Sequence, residues 1–352
     1  MRIGERSIGE GEAVYIIAEL GVNHDGSSTR AMEMVEAAAG AGADAVKLQY
    51  FEADLLMSRA ARLATYQQHA GEADPHEMLR RLQLPIDALA RIAERAHAIG
   101  LHAIVTVFSV DLVEAASNVP WDAFKTASPD VVHRPLLEAL LATDRPLIVS
   151  TGAATLDEVC RAHGWLRSGT ASYMFLQCVS CYPTPPEHAA LGGIEALRRA
   201  LDMPIGYSDH TSEVQTGALA VACGAVMLEK HLTLDRAARG PDHAASLDPE
   251  GFATYVRLAK RARVKTLDPA DPQIGPIEKR VLPIELDVRS ASRQSITTTQ
   301  ALPAGHTLTT DDVTFKRPGA GAAPWRLPEV IGRRLVRAVE ADVPLEMEML
   351  EP

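Results

Sequence analysis

Two lysines stand where an apolar strand would not place them. Lys47 lies in the run Ala45–Phe51 (AVKLQYF) and Lys125 in Ala123–Ser128 (AFKTAS). A single lysine near a strand end ordinarily snorkels to the surface. Two of them in separate apolar runs, with Thr106, Ser128, Ser150, Thr151, Ser180 and Ser208 ending neighbouring runs, read as a cradle for an anion. Ammonium groups and hydroxyl donors suit a phosphate or carboxylate, and burial strengthens each contact. Glu19 closes the first run and could pair with one lysine, though not readily with both.

His210 and His231 follow or end consecutive runs. Neighbouring strands lie about 4.8 Å apart, so two imidazoles at adjacent strand ends can share one divalent ion. Two protein ligands leave positions for water and substrate. Imidazole with oxygen ligands accepts manganese, cobalt, iron or zinc. Asp209 and Asp242 could support such a site from behind. Gln49, Tyr182 and Lys230 are further polar residues at run ends. Cys178 and Cys181 make a CxxC without a second pair, and residues three apart on a strand point to opposite faces, so no redox or zinc site is expected there.

The elements that must position these residues repeat with a regular beat. Eight short apolar runs, Val14–Leu20, Ala45–Phe51, His102–Phe108, Ala123–Ser128, Pro146–Thr151, Tyr173–Ser180, Pro204–Ser208 and Val226–Leu232, alternate with stretches of helical period such as Ser27–Ala41, His76–Ile99 and Leu156–Leu166. Near-continuous apolar runs suit parallel strands covered on both faces. Thr155, with Glu158 three residues on, predicts a capping box. Eight strand–helix units in about 250 residues predict a (β/α)8 barrel, whose chemistry sits at the C-terminal strand ends. No GxGxxG follows the first strand, which argues against a dinucleotide-binding sheet. Residues 1–264 are expected to form the barrel and 265–290 a proline-rich linker. Residues 291–352 should form a small β-rich module, too short to bury much core alone, that docks on its own barrel or a partner's.

Lys plus Arg number 35 and Asp plus Glu 46, a net charge of −11, in a chain that is 47% apolar and 23% charged. This is a globular composition that disfavours a nucleic-acid or anionic-membrane surface, without excluding a locally basic pocket. The longest apolar run, Gly217–Leu228, has 12 residues, short of the roughly 20 that a membrane span needs. No signal peptide is read at the start, and four cysteines make no disulfide framework. A cytoplasmic enzyme is expected.

The blocks IIAELGVNHDGS, GADAVKLQYF, FKTAS, IVSTGAATLDEV, YPTPPE, GYSDHTS, EKHLTLDR and GPDHAASLDPE, in that order, resemble the sialic acid synthase family, including N-acetylneuraminate synthase. The tail, with KRPG at Lys316–Gly319, resembles that family's antifreeze-like (SAF) domain. The resemblance implies condensation of phosphoenolpyruvate with an open-chain N-acyl-hexosamine to a nine-carbon 2-keto acid, with release of phosphate. It implies a divalent metal on His210 and His231, with manganese foremost and magnesium or cobalt as alternatives. It places the phosphoenolpyruvate contacts on Lys47, Thr106, Lys125, Ser128, Ser150, Ser180 and Ser208, and the sugar contacts on Gln49, Tyr182 and Asp242, with Glu19 at the pocket base. Arg317 matches an arginine delivered from the tail of a partner subunit, which implies a homodimer with exchanged tails.

Two departures stand out. Ser180 replaces an Asn that contacts the donor, and Pro129-Asp130 replaces Gly-Glu, putting Asp130 where a Glu is suggested to orient the attacking water. The alternatives are the same condensation with another aldose, a metal-assisted aldolase that uses no phosphoenolpyruvate, and a silent carbohydrate-binding scaffold.

Overall fold

The computed structural model describes residues 1–265, 268 and 270–351. Eight parallel strands close into a barrel: β1 (Tyr15–Glu19), β2 (Ala45–Tyr50), β3 (His102–Val107), β4 (Ala123–Thr126), β5 (Leu147–Ser150), β6 (Tyr173–Cys178), β7 (Gly206–Asp209) and β8 (Met227–His231), with β8 pairing back onto β1. The expected barrel is therefore the observed one. Helices between the strands start where short polar side chains can cap them. Ser27 and Asp248 accept from backbone N–H groups of the first turn, and Thr155 forms the predicted capping box with Glu158.

The period-2 alternation of each strand sorts its residues into two layers. Ile16, Val46, Leu48, Val105, Phe124, Val149, Phe175 and Leu228 face outward and pack against the helices in the large outer core. Tyr15, Ile17, Ala45, Ile104, Ala123, Ile148, Met174, Leu176 and Met227 face inward with Ile3 and Ile8 of the N-terminal hairpin, which plugs the barrel floor. Two strand positions further on, the same inward face turns polar: Glu19, Lys47, Thr106, Lys125, Ser150, Ser208 and Glu229, all buried. The apolar lower layer makes a packed foundation, and the polar upper layer sits at the end where such barrels do chemistry.

Beyond the last barrel helix, Pro249–Arg261, the next α-helix among the described residues is Leu286–Ser292. Two antiparallel strands follow, β9 (Ser295–Thr298) and β10 (Val313–Lys316), with Ser295 opposite Lys316. Ile296, Leu302, Leu308, Val330, Leu335, Leu345 and Leu350 give this tail module an apolar core of its own. It docks on the barrel through backbone bonds at Arg317, whose N–H donates to Leu56 O (2.8 Å) and whose carbonyl accepts from Ser58 N (3.0 Å). Among the described residues no helix is long and apolar enough to cross a membrane.

Candidate active site

At the C-terminal end of the barrel, one cavity of about 130 Å³ is lined by Lys47, Gln49, Thr106, Lys125, Ser128, Ser150, Ser180, Tyr182, Ser208, His210, His231, Asp242 and Arg317. Of the other candidates named from the sequence, Glu19 and Asp130 lie buried behind the wall, and Thr151, Asp209 and Lys230 are buried without lining the cavity. Lys47 Nζ donates to Thr106 Oγ1 (2.9 Å) and pairs with Glu19. Lys125 Nζ donates to Ser150 Oγ (2.7 Å) and lies 3.4 Å from Glu229 Oε2.

Glu19 pairs with Lys47 alone, and the second ion pair comes from a different carboxylate. Glu229 was not among the expected site residues, yet it lines the cavity and accepts from Ser208 Oγ (3.0 Å). Its position two residues before His231, on the same strand face, was the available signal. Lys230, read as a run-end polar residue, faces the other way and is clasped by Asp209 Oδ2 (3.2 Å) and Thr211 O.

Burial and these partners set the charge states. Burial pushes the Glu19 carboxyl up to about 7 against the pull of Lys47. Burial also works against charge on Glu229, but Lys125 and then Lys47 outweigh it, so that carboxyl stays below its ordinary range. Burial lowers the Lys125 ammonium. The cavity floor thus holds two cations against one firm and one readily neutralised anion.

The imidazoles of His210 and His231 lie with centroids 5.5 Å apart. His210 Nδ1 donates to Val179 O (2.8 Å), a carbonyl that can only accept, so in the neutral ring Nε2 is the lone-pair donor, although, against burial, Cys178 and Val179 raise the imidazole above its ordinary range. His231 Nδ1 is buried without a hydrogen-bond partner, 3.9 Å from Asp242 Oδ2. Burial, with His210 and Lys47, holds His231 well below its ordinary range, in the neutral form that ligates metals. These features fit a divalent ion held by two nitrogens. No cluster of three or more metal-ligating side chains exists among the described residues, so its other positions would fall to water or substrate. Cys178 Sγ lies 3.7 Å from His210 Nδ1, and all four cysteines are free.

The rim is built differently. Tyr66, from the short helix Thr65–His69 after β2, stacks on Tyr182 (4.9 Å between centroids), which in turn lies 4.1 Å from His210. Val22, Met78, Leu79, Leu82, Phe108 and Val288 add apolar wall. Arg317 reaches in from the tail, its guanidinium 5.6 Å from the Phe108 ring. It belongs here to the same chain as the barrel it closes, where the resemblance had implied a partner's. Behind it, Asp130 Oδ1 accepts from Gln294 Nε2 (3.1 Å), and burial, opposed by Arg317, raises the Asp130 carboxyl to about 6. Tyr66, Phe108 and Gln294 were missed from the sequence, since only tertiary contact brings them here.

Comparison with known proteins agrees with this architecture. Residues 34–268 match the NeuB family and residues 293–351 the SAF domain. The N,N'-diacetyllegionaminic acid synthase of Legionella pneumophila is 33% identical over 99% of this chain and 98% of its own length. The N-acetylneuraminate-9-phosphate synthase of Mus musculus is 31% identical over 98% and 95%. The crystal structure of the Bacillus subtilis spore coat polysaccharide biosynthesis protein SpsE superimposes with a TM-score of 0.85 at 28% identity, over 100% of this chain and 99% of that one.

Proposed function

The chain belongs to the NeuB family, and on that premise we propose that it condenses phosphoenolpyruvate with the open-chain form of an N-acyl-hexosamine, releasing phosphate and forming a nine-carbon 2-keto sugar acid. The observation that carries this reading is the burial of Lys47 and Lys125 in the same cavity as the paired imidazoles of His210 and His231. Two ammonium groups beside hydroxyls match a small polyanion, and an adjacent ion site matches a carbonyl acceptor. The apolar rim of Met78, Leu79, Phe108 and Val288 suits acyl methyl groups better than a fully hydroxylated sugar.

Lys47 and Lys125 neutralise the donor's phosphate and carboxylate, while Thr106, Ser128, Ser150 and Ser208 orient it with hydroxyl donors. Because Glu19 is readily neutralised, Lys47 can exchange its carboxylate partner for the donor. His210 and His231 would hold a divalent cation, manganese in our reading, which when bound would supply Lewis-acid polarisation of a carbonyl oxygen. The donor's methylene carbon then bonds to the aldehyde carbon, and water adds at the donor's second carbon. The water's proton balances the one gained by the alkoxide at the former aldehyde oxygen. Asp130, raised only to about 6, is the buried carboxyl available to relay it, while neutral Glu19 leaves Lys47 free for the donor. Loss of phosphate by C–O cleavage gives the keto acid. Holding two reactants in one small cavity lowers such a barrier by on the order of 7 to 11 kcal/mol. We read the working form as a homodimer with exchanged tails, since a module with its own core can dock equally on a partner's barrel.

The test is to incubate the protein with phosphoenolpyruvate, manganese and a panel of aldoses, following phosphate release and product mass. Phosphate released in step with a three-carbon mass gain on an N-acyl aldose is expected. A product formed with no phosphate release would replace this reading with an aldolase.

A further inference from the structure

The stretch between barrel and tail contributes side chains that hold the donor end of the cavity in shape, and we infer that Glu285 and Lys279 are positioning residues for phosphoenolpyruvate. This rests on the function proposed above. Glu285 is 1% exposed, and one of its carboxylate oxygens, Oε1, accepts from two backbone N–H groups on different loops: Ala153, beyond β5 (2.6 Å), and Ser180, beyond β6 (2.7 Å). Its other oxygen accepts from Leu282 N (2.8 Å). Lys279 Nζ, also buried, donates to Cys178 O (3.3 Å). The end of β6 is therefore bracketed from the same segment, its Cys178 carbonyl by an ammonium and its Ser180 amide by a carboxylate.

Both loops reach the donor site directly. Ser150 and Ser180 line the cavity with Ser128, and Gly152 N donates to Ser128 Oγ (3.0 Å). The fit leaves no slack, since a Cβ on Gly152 would lie 2.2 Å from Ser180 Oγ and 2.8 Å from Ser128 Oγ. The next residue, Ala153, has φ +51°, a left-handed conformation that an alanine adopts only when its surroundings impose it. The imposition is visible: Glu285 holds its N–H, and Arg289 and Arg293 donate to its carbonyl. Strain at this turn, held by side chains from residues 285–293, helps set where the three serine hydroxyls converge.

Inorganic phosphate serves as the probe, measured by calorimetry on the full-length chain beside separate KM values for phosphoenolpyruvate and for the acceptor. Glu285→Ala is expected to raise the phosphate Kd and the phosphoenolpyruvate KM by about ten- to a hundredfold, the scale of a misplaced binding group, and to leave the acceptor KM within about twofold. Glu285→Gln, which keeps a carbonyl oxygen for the two shared N–H groups, should recover most of that loss, a rescue that mere destabilisation would not show. Lys279→Met should give a smaller shift of the same kind. If Glu285→Ala does not fold, the Gln and Met variants carry the comparison. Wild-type phosphate binding that none of these variants weakens, or a parallel rise in both KM values, overturns the inference alone. A wild type that binds no phosphate and consumes no phosphoenolpyruvate overturns the proposed function and this inference together.

Discussion

The floor and the rim of the one cavity are made by opposite means. The floor is strand: Lys47, Thr106, Lys125, Ser150, Ser208 and Glu229 project from six of the eight barrel strands on one face, standing on the apolar layer of Ile17, Ala45, Ile104, Ile148 and Met227. Its geometry follows from strand register and cannot shift without unpicking the barrel. The rim is short helices and tail: Tyr66, Met78, Val288 and Arg317 meet only because separate segments dock. A floor of that kind can keep a reaction constant while the rim changes what is admitted. Changes to the floor should therefore abolish turnover with any acceptor, and changes to the rim should alter which acceptor is used and how well the mouth closes.

The largest effect is expected on the floor. Lys125→Met should lower kcat/KM for phosphoenolpyruvate by about 10³-fold, the scale for losing a preorganised charge donor. It also strands Glu229 in the interior, and breaking a buried pair from one side costs about 3 to 5 kcal/mol. Adding Glu229→Gln should return most of the thermal stability and none of the activity. Stability and activity returning together would show that the lysine serves the fold rather than the anion.

A smaller loss, about 10²-fold, is expected from Arg317→Ala, because the residue reaches the cavity from a docked module. Here the ownership of the tail becomes measurable. Mixing and refolding equal amounts of Arg317→Ala and Lys125→Met chains should restore about one quarter of wild-type activity if tails are exchanged within a two-fold dimer, since half the dimers then hold one intact site. Closure of each barrel by its own tail, as in this structure, leaves every site defective and restores nothing.

The same contrast explains what could be seen in the residues beforehand. Barrel strands announce themselves because each is buried on both faces, so VYIIAEL or HAIVTVF reads as a strand from composition alone. The floor was legible for the same reason: a lysine inside such a run has nowhere to go but the interior. What failed there was phase. VMLEKHL offers Glu229, Lys230 and His231 together, and only the alternation from His231 tells that Glu229 shares its face while Lys230 turns outward. The rim was largely illegible, because nothing local marks Tyr66 or Gln294 as neighbours of the cavity. Glu285, Arg289 and Arg293 were hidden within or beside a stretch whose prolines read as a linker, although that stretch carries the side chains that grip Ala153 and Glu158.

Tyr66 tests whether the rim governs the acceptor alone. Its stack on Tyr182 is worth about 1 kcal/mol, so Tyr66→Ala should raise the acceptor KM about fivefold and leave the phosphoenolpyruvate KM unchanged. Donor and acceptor constants rising together would mean that floor and rim are mechanically one body.

Asp130 stands at the seam where the tail's Gln294 and Arg317 meet the barrel, and its effect is read in stability rather than in a kinetic constant. One of its carboxylate oxygens, Oδ2, is buried with no hydrogen-bond partner, and burial raises the group to about 6 despite Arg317. A carboxyl raised in the folded chain keeps a proton that the unfolded chain releases at lower pH, so it makes stability fall as pH rises from about 4 to about 6 and then level off. The full shift corresponds to on the order of 3 kcal/mol. Asp130→Asn, neutral throughout, should melt with the wild type near pH 4 and a few degrees above it at pH 8, the gap opening between those two values. A gap of the opposite sign at pH 8 would mean that attraction to Arg317 outweighs burial, and that the seam is held by an ion pair rather than by the backbone bonds at Leu56 and Ser58.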